Sequence, residues 1–479
     1  MRTSLPVPPP MCVSLDGGLF LTDAFMESLC QLLKKSPWRV ILMPVWLLGG
    51  RANFKRQVMR RAGLGDHARM VNPEVASFLE TAKKEGRKVV LAAWEQDRRA
   101  AVSVQQLMGV FDEVVFVESG SPPSGAARAA VMEERFGRKN FDYLGSRPLD
   151  LPTWQAARVA YVASRDQGLI ARVKKVALVE GVFAPPCASL RDWLRALRVH
   201  HWSKNLLLLL PLLCAHQWTE PARLWPVILG LAAFSLCASN VYVLNDLLDL
   251  EADRQHASKR NRPFASGRIP LAQGLVSAPV LLALASGLAA LLGWRFCAVF
   301  GAYYCLTLAY SLRLKEIALV DVLVLAGLYS IRILAGGVAA QVPVSDWLIM
   351  FSLFVFLSLA FAKRFAEIQS LRDGATRLQG RGYMAGDAEP AGSMGVGSGY
   401  ISVLVLAMYI NHPSVTSLYS HPHVLWLACP LLLYWISRVW LLVHRGALPG
   451  DPVWFALRDG QSWLVAALLM AVGFAAGPK

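Results

Sequence analysis

Asn245, Asp246, Asp249 and Asp253 form the pattern NDxxDxxxD, whose steps of three and four residues put three carboxylates on one helical face. Three like charges stacked over two turns repel one another, so the pattern calls for a cation. Hard oxygen ligands, with room left for waters and phosphate oxygens, suit Mg²⁺ bridging a diphosphate. His256, Lys259, Arg260 and Arg262 follow at once. Such a basic run can hold the outer phosphate oxygens that a metal leaves uncovered. The alternative is a solvated helix end whose basic run serves only membrane topology. Against it, acids inside a positively charged loop do nothing for orientation.

The elements that must position these residues follow from composition. The chain has 479 residues, 55% hydrophobic and only 17% charged, with mean hydropathy +0.40. That excludes a purely soluble, disordered or fibrous protein. A net charge of +16 fits an anionic membrane surface, and nucleic acid is not an expected partner. Eight cysteines are scattered singly, without a CxxC pair or zinc spacing, so neither a disulfide framework nor a metal knuckle is signalled.

From about residue 200 the chain reads as an all-α membrane bundle of nine spans, at 203–218, 224–244, 274–292, 296–312, 318–340, 345–362, 400–418, 423–442 and 461–477. The first is short and interrupted by Pro211, which leaves eight as the alternative. Fourteen Lys and Arg lie in the loops after the even-numbered spans, with Arg438 towards the end of the eighth span making fifteen, while those after the odd ones carry only Arg223 and Arg295. This bias puts the amino-terminal region in the cytoplasm and the carboxyl terminus outside.

Residues 1–190 read as a separate α/β domain, with strands expected at 11–15, 88–93, 113–118, 141–145 and 159–163 between charged helical stretches. Alternation of this kind implies a Rossmann-like, doubly wound parallel sheet whose function gathers at the carboxyl ends of the strands. The opening, with Pro6, Pro8, Pro9 and Pro10, reads as a flexible leader rather than a secretory signal. Residues 37–50 (PWRVILMPVWLLGG) are apolar, too short to span, and flanked by Lys34, Lys35, Arg39, Arg51, Lys55, Arg56, Arg60 and Arg61. They fit either a buried helix with solvated basic ends or a segment lying on an anionic membrane surface.

The acidic motif at the end of the second span resembles that of the UbiA superfamily of intramembrane prenyltransferases, and the resemblance covers residues 190–479, giving a transferase domain at 191–479. RVHHWSKN at 198–205, DxxHxxKxxRP at 253–263, YSLRLKEIALVD at 310–321 and KRFAEI at 363–368 resemble the decaprenyl-phosphate phosphoribosyltransferase branch. The resemblance implies a Mg²⁺-dependent enzyme of the bacterial inner membrane. It would move 5-phosphoribose from phosphoribosyl diphosphate (PRPP) to a polyprenyl monophosphate at the cytoplasmic face, releasing diphosphate. Asn245, Asp246, Asp249 and Asp253 are then the catalytic set, the three aspartates holding the metal. Lys204, His256, Lys259, Arg260 and Arg262 are candidates for the donor's phosphates. Tyr310, Lys315, Asp321, Arg332, Lys363 and Arg364 are candidates for the acceptor, although the basic residues do not divide securely between the substrates.

Aromatic prenyltransferases of the superfamily carry a second cluster, DxxxD, after the sixth span, where this chain has Lys363, Arg364 and Glu367. A basic site fits a lipid monophosphate held directly by side chains. Arg332, eleven residues after Asp321, faces a polar cavity, the alternatives being that it snorkels to the interface or is paired within the bundle. An ionised phosphate needs no general base to attack C1 of the ribose. An aromatic or tetrapyrrole prenyltransferase is the alternative enzyme, and a transporter or scaffold the alternative class; a homo-oligomer stays open.

VSLDGGLFLTD, from Val13, resembles the first motif of haloacid dehalogenase-type phosphatases, but either register loses a carboxylate. With Asp16 as the second acid, the nucleophile's place falls on Ser14. The motif-two hydroxyl falls within Ala92-Ala93, the motif-three lysine near Ser124, and FDYLGSRPLD offers Ser146 and Asp150 for paired acids. The resemblance implies a degenerate module, kept for stability, membrane docking or binding, with unusual chemistry from Asp16 and Asp150 as the alternative.

Overall fold

The computed structural model describes residues 8–62, 71–95, 98–118, 124–257, 259–371, 376–378, 380–416, 419–447 and 452–477; Pro6 lies outside them. The chain divides into two compact units, one comprising Met1–Leu197 with Tyr242–Ala278 and the other Arg198–Val241 with Pro279–Lys479.

In the first unit, strands β1 (Met11–Ser14), β2 (Val89–Trp94), β3 (Glu113–Val117), β4 (Asp142–Gly145), β5 (Val159–Val162) and β6 (Leu178–Val182) pair in parallel. Their order is β3-β2-β1-β4-β5-β6. Parallel strands joined by helices are covered on both faces, and β2 (VVLAAW) is buried at every residue as that arrangement requires. Five strands lie where the apolar runs predict them. The sixth, LVEGV, was not expected: on the sheet edge it alternates between exposed and half-buried, and Glu180 and Gly181 break its apolar run.

Between β1 and β2 the chain makes a helical insertion. Helix α1 (Ala24–Lys35) is capped by Asp23, whose carboxylate accepts from the Phe25 N–H at 2.8 Å. A 3₁₀ turn (Pro37–Leu42), α2 (Met43–Leu48) and α3 (Arg51–Ala62) follow. Leu32, Trp46, Val58 and Ala62 form the insertion's own small core. Within Pro37–Leu48 only Trp46 is buried, so this is not the buried helix that was one of its two readings.

Among the described residues six helices, not nine, are long and apolar enough to cross a bilayer: Pro221–Leu248, Leu271–Leu291, Val320–Ala340, Asp346–Gln369, Ala385–Ile410 and Pro422–His444. The expected span at 203–218 is a 3₁₀ stretch (Val199–Leu209) and a five-residue helix (Leu210–Cys214), because Pro211 starts a new helix instead of extending one. Trp294–Leu312 is helical, but Arg295 and three tyrosines dilute its apolar character. Gly460–Ala475 has 16 residues, and at 1.5 Å per residue falls short of a ~30 Å hydrocarbon core.

The span expected at 400–418 starts earlier, since AEPAGSMGVGSG is helical within Ala388–Ile410. Gly395 and Gly399 are packing sites. A Cβ on Gly395 would lie 2.2 Å from the Trp440 ring and one on Gly399 2.6 Å from Ile436, the small-residue contact by which membrane helices approach closely.

Candidate functional site

Helical hydrogen bonding runs through the acidic motif: Asp249 N–H donates to the Asn245 carbonyl and Asp253 N–H to that of Asp249, both at 2.8 Å. Asp246 and Asp253, two turns apart, are each 2% exposed and converge on one atom. Arg262 Nη1 donates to Asp246 Oδ1 at 3.1 Å and to Asp253 Oδ2 at 2.7 Å. Burial pushes the Asp253 pKa up, with Arg262 opposing. Asp249, at the break between Pro221–Leu248 and Leu250–Gln255, instead takes Lys34 Nζ of α1 at 3.2 Å. Asn245 is half-buried, and His256, Lys259 and Arg260 are exposed.

The rest of this loop is clipped to the same unit. Arg254 Nη2 pairs with Glu27 Oε1 at 2.9 Å, and Arg268 Nη1 with Asp192 Oδ1 at 3.1 Å. Asp192 caps its helix from within the S-x-x-D box opened by Ser189, and that hydroxyl's hydrogen bond, helped by Arg268, lowers its pKa. Between α1 and the acidic helix lies a cleft of about 220 Å³ lined by Glu27, Cys30, Lys34, Leu247, Glu251 and Arg254.

The donor chemistry fits Mg²⁺, which keeps several waters and takes one or two carboxylates plus substrate phosphates. Asp246 and Asp253 already converge on a single cationic nitrogen. Three acids do not meet at one point among the described residues, because Asp249 is turned to Lys34.

The second unit holds the other predicted residues. Arg364 is fully buried and donates through Nε to Asp321 Oδ2, through Nη2 to the Tyr310 hydroxyl at 3.2 Å, and through Nη1 to Glu367. Tyr383 donates to Asp321 Oδ1 at 2.7 Å, and Arg381 to the Tyr310 hydroxyl at 2.9 Å. Lys315 and Lys363 are half-buried. Arg332 is paired within the bundle: it donates to Asn205 Oδ1 at 2.9 Å, to the Tyr303 hydroxyl at 2.7 Å and to the Leu328 carbonyl. Lys204 lies 5.5 Å from the Tyr329 ring centroid. Thus Arg332 and Arg364, expected as anion ligands, bond to partners of their own. Tyr383 and Asn205 were not singled out as partners, since nothing in their spacing links them to residues 62 and 127 positions away.

At the carboxyl ends of β1 and β4, Ser14 and Asp150 meet a residue that sequence reasoning missed. Arg128 Nη1 donates to Ser14 Oγ at 3.1 Å, the Tyr143 hydroxyl at 2.9 Å and Asp150 Oδ1 at 2.6 Å, and its guanidinium lies 4.3 Å from the Trp94 ring centroid. Asp150 Oδ2 accepts two further N–H groups, from Ser146 and Arg147, each at 3.0 Å. An arginine set among alanines in GAARAAVMEERF was the available signal. The side chain of Asp16 lies outside the described residues.

A polytopic helical protein with an aspartate motif closing a span defines a membrane-embedded class, and comparison with known proteins gives its family. The model of the UbiA prenyltransferase family matches residues 207–465, and the chain belongs to that family. An uncharacterized protein of Sinorhizobium fredii, y4nM, is 33% identical over 96% of this chain and 89% of its own. The nodulation protein NoeC of Azorhizobium caulinodans is 39% identical over 58% of this chain and 90% of its own. Decaprenyl-phosphate phosphoribosyltransferase of Mycolicibacterium smegmatis is 36% identical over 39% of this chain and 59% of its own.

Proposed function

We propose that the protein transfers 5-phosphoribose from PRPP to a polyprenyl monophosphate at the cytoplasmic face of a bacterial inner membrane. One observation carries the reading. Carboxylates are concentrated at Asp246, Asp249 and Asp253, whereas the place of a second acidic cluster holds the buried Arg364, which pairs with Glu367 and with Asp321 of another helix. A single acidic cluster suits one diphosphate-bearing substrate and an acceptor without one. The 36% identity to a decaprenyl-phosphate phosphoribosyltransferase supports the same reading.

The proposed mechanism is an exchange of charges. Asp246 and Asp253, with Asp249, would hold Mg²⁺, which when bound neutralises the departing diphosphate. For that the carboxylates must release Arg262 and Lys34, and the donor's phosphates are the anions those cations then take, together with Lys259. A phosphate oxygen of the acceptor attacks C1 as the C1–O bond to diphosphate breaks. Because its second pKa is about 6, this oxygen is already ionised near neutrality. Lys315 and Lys363 are assigned to the acceptor phosphate, and Lys204 to the donor's phosphates. Arg364 is assigned to positioning, since it holds Asp321, Glu367 and Tyr310 together.

The test is incubation of the purified protein with ribose-labelled PRPP, Mg²⁺ and a polyprenyl phosphate. A labelled lipid supports the reading. Turnover of a polyprenyl diphosphate with an aromatic acceptor, and none with PRPP, would replace it with the aromatic prenyltransferase.

A further inference from the structure

Pro37–Leu48 presents a run of large apolar side chains that no described residue covers. Trp38 is 60% exposed, Ile41 78%, Val45 60% and Leu48 88%, with Val40 and Leu47 also about half exposed. A soluble surface seldom leaves so many contiguous apolar residues open without an occupant. The segment is not loose chain: Trp46 beneath it packs with Leu32, Val58 and Ala62, so the outward side chains are displayed by a formed core.

We infer that Pro37–Leu48 is an interfacial membrane anchor, lying in the headgroup region of an anionic bilayer. Two observations select the bilayer as occupant. The first is position. Lys34, three residues before the segment, pairs with Asp249, one residue beyond the membrane-span helix Pro221–Leu248. Three residues of chain reach at most about 11 Å, so the apolar run begins close to where a span leaves the hydrocarbon.

The second is charge. Lys35 and Arg39 stand at its start, and Lys55, Arg56, Arg60 and Arg61 follow on α3, which contains no acidic residue. Cations around an apolar, tryptophan-bearing face are the composition that holds a helix in an anionic interface. At 12 residues the segment is too short to span, and Pro44 stands at the start of α2, where its missing N–H costs nothing.

The experiment uses the full chain in nanodiscs of phosphatidylcholine and phosphatidylglycerol, the latter carrying a photoactivatable diazirine on its acyl chain, with adducts mapped by mass spectrometry. Adducts are expected on Pro37–Leu48 as well as on the six spans, and absent from the polar helix Pro73–Lys84. Trp38→Ser, Ile41→Ser and Leu48→Ser together should remove most of the adducts on this segment while those on the spans persist. Adducts on the spans alone, with Pro37–Leu48 labelled instead by a water-soluble carbene, would overturn the anchor. So would lipid adducts absent from discs sized for one copy and protection appearing only when two copies share a disc, which would make the face a contact between chains. The result does not depend on the chemistry proposed above, since no substrate is present.

Discussion

Two of the arginine–aspartate contacts in the first unit, at Arg128 and at Arg262, differ in how firmly the arginine is held. Arg128 has a side chain 4% exposed, bonds to Ser14, Tyr143 and Asp150, and lies over Trp94. Arg262 has a side chain 28% exposed and reaches Asp246 and Asp253 through Nη1. A buried pair held by several hydrogen bonds cannot be parted without leaving an uncompensated charge, whereas a cation open to water can be exchanged for another. The contrast separates a place where charges are locked from one where they can be traded for a metal and a phosphate. We propose that the strand-end site of the α/β unit is inert and that the aspartate motif is the working one.

The largest expected effect lies at the motif. Asp246→Asn and Asp249→Asn each keep the shape and lose charge, and each should abolish transfer while the detergent-purified protein stays monodisperse. Near wild-type turnover in both would break the assignment. Next is the locked pair. Arg128→Ala leaves Asp150 buried without its cation, so the α/β unit should lose about 3–5 kcal/mol, read as early cleavage in limited proteolysis. An unchanged proteolytic midpoint would mean that Arg128 holds nothing.

Arg262→Gln should raise the apparent KM for PRPP about ten-fold, the loss of one charge-assisted contact. An equal rise for the polyprenyl phosphate would show that the basic residues serve both substrates. The smallest effect belongs to Lys34→Gln. Its ion pair with Asp249 is half exposed and contributes at most about 1 kcal/mol to stability, so a thermal midpoint would barely move. The concentration of Mg²⁺ for half-maximal rate should nevertheless fall, because Lys34 competes for Asp249. A rise in that concentration would show that Lys34 assists the metal.

Much of this contrast was legible in the sequence, because local spacing carries it. NDxxDxxxD needs only the helical repeat to bring Asp246 and Asp253 together, and the parallel sheet's buried strands announce themselves as apolar runs. What was not legible depends on distant partners. Arg128 sits 114 residues from Ser14, and Tyr383 62 residues from Asp321. Gly395 and Gly399 read as loop because their role, admitting Trp440 and Ile436, exists only once the helices pack. The outward face of Pro37–Leu48 was ambiguous for the same reason: an apolar run does not say whether protein or lipid covers it.

The most direct test of the account uses PRPP labelled with ¹⁴C in the ribose and ³²P in the 5-phosphate, given with polyprenyl phosphate to the purified protein. The account predicts that both isotopes enter the extractable lipid in the ratio they had in the donor, and that neither does in Asp246→Asn. Absence of both from the lipid in the wild-type reaction would contradict the transfer. Loss of ³²P relative to ¹⁴C would contradict the inert α/β unit, by showing that the 5-phosphate is removed after transfer.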